Sequence, residues 1–257
     1  MRITDPRCEA DRRSAEPSAR RGFVRGLCAS LLFARTATAI PSEPYPASVA
    51  GIPLPRTRMC TDAHARIAAL APPFLVNHSL RTYVFGALSV RQQGASFDPE
   101  TAFIAALLHD VGLLAAIASP ERPFELDGAD YAQRFVHDHG GAEREGARVW
   151  GAIAMHDMRL AFAQHESPEA MVVASGAAAD VVGPEQAVLS SGALAEILAA
   201  FPRLDFKQRF TKALAAHCER KPRAQRATWL EGFCRAHATH PPLDGTEAAI
   251  AAAPFPE

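Results

Sequence analysis

The chain has 257 residues, with 27 basic and 28 acidic side chains and a net charge of −1. That balance gives no electrostatic footprint for nucleic acid. Hydrophobic residues make up 48% and aromatic residues 7%. Alanine-rich runs favour helix, while period-two apolar alternation is scarce, so an all-α protein of one large or two small domains is expected. Cys8, Cys28, Cys60, Cys218 and Cys234 are odd in number and lack zinc-ligand spacing. Free thiols are expected; Cys218 and Cys234 can pair only if their helices face each other.

In chain order, residues 1–39 hold Arg20-Arg21-Gly22-Phe23-Val24-Arg25, a short apolar stretch and Ala37-Thr38-Ala39. This reads as a twin-arginine-type signal peptide or, alternatively, as an Arg-rich extension. The first reading makes the protein periplasmic or secreted, the second cytoplasmic. The apolar stretch is too short for a membrane span. Residues 40–60 are proline-rich and read as a linker followed by an extended arm. Residues 61–240 form the predicted domain, and 241–257 a tail. The first helix is expected over 61–70, capped by Thr61 or Asp62 and stopped by Pro72-Pro73. The second covers 77–92, with Leu80, Val84, Ala87 and Leu88 at helical spacing. Asp98-Pro99-Glu100 starts a third, which breaks at Gly112. Further helices are expected over 127–139, 143–155, 168–182, 185–200, 205–220 and 226–238. The basic cluster from Arg209 to Arg226 reads as a solvated helix face and loop.

The third of these helices carries the chemistry. It is almost wholly apolar and ends in His109-Asp110. Two adjacent ionisable groups at the end of such a helix need compensation, and a divalent metal supplies it. His78 lies on the helix before, and Asp180 sits among Ala177, Ala178, Ala179, Val181 and Val182. A carboxylate in so apolar a run must be paired, capped or metal-bound.

The order H…HD…D on successive helices resembles the HD-domain metal-dependent hydrolase superfamily. Residues 74–83 around His78, Ala106-Leu107-Leu108-His109-Asp110-Val111-Gly112, Phe124-Glu125-Leu126-Asp127-Gly128-Ala129, Ile153-Ala154-Met155-His156 and 201–207 are similar to its cyanamide hydratase-like branch. The resemblance implies an HD-domain helical bundle around a buried metal site. It implies His78, His109, Asp110 and Asp180 as ligands of one divalent metal, Zn ahead of Fe, Mn or Ni. Its implied activity is metal-assisted addition of water to a small substrate, as in cyanamide to urea.

Asp110 and His156 are expected in catalysis, with His156 positioning or protonating substrate. Its bland alternative is a helix-end histidine answering the helix dipole. Asn77, Arg81 and Glu125 are expected against substrate. His137 and His139, at i and i+2, fall on different helix faces and read as a solvated helix end. HD-type nucleotidases carry a glutamate four residues after the histidine of the pair; here Leu113 stands there. Two alternatives stay open: an HD-type phosphohydrolase acting on nucleotides, and a non-catalytic metal-binding module. The expected partner is a small-molecule substrate, with no nucleic acid and no membrane span; homo-oligomerisation is left open.

Overall fold

The computed structural model describes residues 43–158, 160–183, 190–221, 224 and 228–239. The export-signal reading and the tail lie outside them. The architecture is all-α: ten α-helices, one 3-10 turn and a two-residue β-hairpin among the described residues. None of these helices is long and apolar enough to cross a membrane.

The arm is part of the core. Tyr45, Val49, Ile52 and Leu54 are buried, and the Tyr45 ring packs on Phe103 at 5.3 Å. Strands β1 (Ser48–Val49) and β2 (Ile52–Pro53) pair antiparallel. Ala50 and Gly51 turn between them at φ 50° and 73°, the paired positive φ of a tight hairpin turn.

Helix α1 (Arg58–Leu70) starts before the expected position, because Thr57 and not Thr61 or Asp62 accepts the Cys60 amide. Helix α2 (Pro73–Gln92) also starts early. Pro73, expected only to stop α1, occupies the first helical turn of α2, where a missing N–H costs nothing. Helix α3 (Pro99–Leu108) begins as expected, with the Asp98 side chain accepting from the Thr101 amide at 2.7 Å.

Three helices, α2, α3 and α7 (Pro168–Val182), are buried over most of their surface and form the centre. Reciprocal glycines let α2 and α7 touch backbone to backbone. A Cβ on Gly86 would lie 1.8 Å from the Val172 carbonyl oxygen, and one on Gly176 1.9 Å from that of Thr82.

Beyond α3, the 3-10 turn Val111–Leu113 leads to α4 (Phe124–Asp138) and α5 (Glu143–Ala154). Helix α6 (Leu160–Glu166) has no counterpart in the expectations. Helices α8 (Ser191–Ala200), α9 (Phe206–Arg220) and α10 (Leu230–His237) complete the described chain.

Two expectations fail in this last part. Cys218 and Cys234 form a disulfide joining α9 to α10, because the two helices do face each other. Lys221, within the supposedly solvated basic cluster, is buried, and its Nζ donates to Asp127 Oδ2 at 2.6 Å.

Candidate metal centre

Helices α2, α3, α5 and α7 bring one set of titratable side chains together at the centre. His109 caps the end of α3. Its Nδ1 bonds the Ala106 carbonyl at 2.8 Å, so the proton sits on Nδ1 and Nε2 presents a lone pair. His156 repeats the device just beyond α5, with Nδ1 on the Ile153 carbonyl at 2.6 Å. His78, on α2, gives Nδ1 to a carboxylate from another helix, Asp180 Oδ2, at 2.7 Å. All three rings are therefore oriented by their second nitrogen, as metal-bound histidines are.

The free edges converge. His78 Nε2 lies 3.2 Å from His109 Nε2, and Asp110 Oδ2 lies 3.3 Å and 3.4 Å from the two. His156 Nε2 stands 3.7 Å from the other carboxylate oxygen, Asp110 Oδ1. Asp110 Oδ2 is buried and accepts no hydrogen bond among the described residues. Metal–nitrogen bonds of about 2.0–2.1 Å separate tetrahedral ligand atoms by about 3.3–3.4 Å, close to the spacing found here. The orphaned carboxylate oxygen and the facing imidazole nitrogens thus fit a divalent cation.

Electrostatics agree with this. Burial pushes the His109 imidazole down to about 3, although Asp110 opposes the shift, so the ring is neutral. Burial alone would raise the Asp110 carboxyl, but the adjacent His109 and His78 outweigh it and hold it well below the usual carboxylate range. Burial disfavours charge on His78 as well, yet Asp110 and Asp180 on its two edges outweigh it and raise its imidazole above the usual histidine value.

Asp180 does not join the converging group. Arg81 Nε donates to its Oδ1 at 2.8 Å and Arg81 Nη2 to its Oδ2 at 2.7 Å, while Arg203 Nη1 reaches Oδ1 at 2.7 Å. Both oxygens are thus committed to two guanidiniums and to His78. Asp180 bonds Nδ1 of His78 and does not face the converging atoms.

The substrate-side expectations also change. Arg81 is fully buried, and its remaining Nη1 donates to the Phe201 carbonyl at 2.9 Å. Asn77 Nδ2 bonds the Pro202 carbonyl at 2.8 Å. Glu125 is buried in the first turn of α4. None of these three lines the cavity that opens over the cluster.

That cavity has a volume of about 280 Å³. His78, His109, Asp110 and His156 form its polar floor, and Phe124, Ala174, Ala177, Ala178 and Val181 form its walls. Asp157 and Trp229, which sequence reasoning missed, line it too. The buried Oδ2 of Asp157 has no hydrogen-bond partner among the described residues. One signal pointed to Asp157: His156-Asp157 repeats, at the end of α5, the His-Asp pair that ends α3. Trp229 had none, since it is distant in sequence from every other cavity residue.

The family model of the HD domain matches residues 75–175. Together with the all-α bundle and the buried His78, His109 and Asp110, this match supports the HD-domain superfamily and points to metal-dependent hydrolase-type chemistry. The matched span includes His156 and ends before Asp180, Arg203 and Trp229. No curated protein matches the chain.

Proposed function

We propose that this protein is a metal-dependent hydratase or hydrolase that adds water to a small uncharged substrate, in the manner of the cyanamide hydratase-like branch. One observation carries the reading. An orphaned Asp110 oxygen and two imidazole nitrogens face each other at the floor of an apolar cavity.

His78, His109 and Asp110 would hold one divalent metal, with zinc favoured by the nitrogen-rich, closely spaced donors. When bound, such a cation supplies Lewis acidity and a nucleophilic water at neutral pH. His156, with Nδ1 on the Ile153 carbonyl and Nε2 3.7 Å from Asp110 Oδ1, is suited to carry a proton from water to substrate. Asp157, next to His156 in the chain, adds a carboxylate to the lining. Phe124 and the alanines of α7 keep bulk water from the reacting atoms. With a nitrile or cyanamide, oxygen bonds to carbon, both protons of water end on nitrogen, and nothing leaves.

Phosphomonoester hydrolysis is the weaker reading. Leu113 stands where nucleotidases of this superfamily carry a glutamate, and Arg81 and Arg203 are both engaged by Asp180. No Lys or Arg among the described residues lines the cavity. The test is a parallel assay of zinc-loaded protein on cyanamide, simple nitriles and deoxynucleoside monophosphates. Urea or amide formation faster than phosphate release is expected. Faster phosphate release would overturn the reading in favour of a phosphohydrolase, and no turnover of any substrate would favour a non-catalytic module.

A further inference from the structure

Among the described residues, the ionisable side chains that line the cavity are His78, His109, Asp110, His156 and its neighbour Asp157. Above the His/Asp cluster, Ala177, Ala178 and Val181 on one side face Phe124 on the other. Small residues on α7 leave the space empty where larger ones would fill it. Its volume of about 280 Å³ approaches the lower bound of about 300 Å³ for sites that hold drug-sized ligands. Bare cyanamide would leave most of that space to water, against surfaces that offer water no hydrogen bonds.

The rim continues the pattern. Trp229 and Val182 line the cavity and are 46% and 82% exposed. Met158 and Leu160 line it as well and are also exposed. Large apolar side chains in solvent are unremarkable when scattered. A group of them around one opening, above a buried polar cluster, marks a surface that a ligand covers. The lining thus has two chemistries in sequence: donors and acceptors at the bottom, then hydrocarbon from the walls to the mouth.

We infer that the substrate of this centre is an uncharged molecule whose reacting polar group is joined to a hydrocarbon body, such as an alkyl or aryl nitrile. The inference rests on the proposed hydration reading and names its substrate class. The polar head reaches the His/Asp floor while the hydrocarbon lies along α7 and Phe124 towards Trp229. Specificity then comes from apolar burial, each methylene contributing about two- to fourfold in affinity.

The test uses the full chain loaded with zinc, with cyanamide and straight-chain nitriles from acetonitrile to hexanenitrile, plus benzonitrile. Binding is followed by the fluorescence of Trp229, the Trp150 background being taken from Trp229→Phe. Product formation is followed in parallel. Affinity should tighten about two- to fourfold per methylene, with kcat/KM rising in step and cyanamide the poorest member. Trp229→Ala, a change at an exposed position that leaves the core intact, should reduce the gain for the longer nitriles and benzonitrile. A flat series, or cyanamide as the tightest and fastest member, overturns the inference even if urea is formed. A series that tightens with chain length without turnover upholds the substrate class while removing the hydration reading.

Discussion

His109 and His156 are oriented by the backbone of their own helices, each through Nδ1 and the carbonyl three residues earlier. This local device fixes the tautomer wherever a histidine follows the last turn. His78 depends instead on Asp180, which is held by Arg81 and Arg203. Its orientation therefore rests on two long-range ion pairs. Residue chemistry made the His109-Asp110 pair legible in the sequence, since ionisable groups in an apolar helix demand partners, whereas His78 was legible only through its place in the H…HD…D order. The same logic said that Asp180 must be paired, capped or metal-bound, and the family pattern favoured the metal. The arginines that satisfy it come from α2 and from the segment before α9, and nothing in the spacing of the chain announces that meeting. The pairing of Arg81 with Asp180 was hidden for the same reason. These roles separate in metal content. Asp110→Ala should leave folded protein without metal. Asp180→Asn should retain one equivalent at saturation but bind it about 10–100-fold more weakly, the usual cost of losing an outer partner of a ligand. Elemental analysis and competitive chelator titration read both. Loss of all metal from folded Asp180→Asn would move Asp180 into direct coordination.

At the scale of elements, α3 and α7 were legible because their starts are written locally. Asp98-Pro99 and Ser167-Pro168 each pair a capping side chain with a proline in the first turn. The start of α2 was obscured because Pro73 both ends one helix and begins the next. The contact between α9 and α10 was not legible at all: two cysteines 16 residues apart say nothing about whether their helices face each other. That disulfide closes a segment carrying Lys221, which pairs with Asp127, and Trp229, which lines the cavity. Cross-linking a loop of this length restricts the unfolded chain by about 3 kcal/mol in the loop-entropy account. The double variant Cys218→Ser, Cys234→Ser should therefore lose stability of that order, read as a melting temperature lower by roughly 6–12 °C. Alkylation of the unfolded chain, read by mass spectrometry, should label two fewer thiols without reductant than with it. Equal thiol counts, with an unchanged unfolding temperature, would remove the cross-link from the account.

For the whole molecule, near-neutral net charge conceals a core rich in titratable groups, and stability should depend on pH accordingly. His217, buried on α9 behind Phe124 and not itself a candidate ligand, shows the effect. Burial, reinforced by the nearby cations Lys221 and Arg220, pushes its imidazole from 6.5 down to about 4. The folded protein therefore keeps the ring neutral at a pH where the unfolded chain protonates it. Because the unfolded state binds the extra proton, this contribution is complete above pH 6.5 and is lost as pH falls towards 4. Fully developed, the loss is on the order of 3 kcal/mol. His109 titrates in the same direction, and His78, whose affinity for protons is raised, in the opposite one. Only a comparison between variants therefore isolates His217. Urea unfolding of metal-free wild type and His217→Gln at pH 7 and pH 4.5 provides it. Wild type should lose more stability between those pH values than the variant does, even if the variant is the less stable at pH 7. Parallel losses would show that His217 is protonated as readily in the fold as outside it. The burial that Phe124 and the two cations impose would then carry no pH dependence.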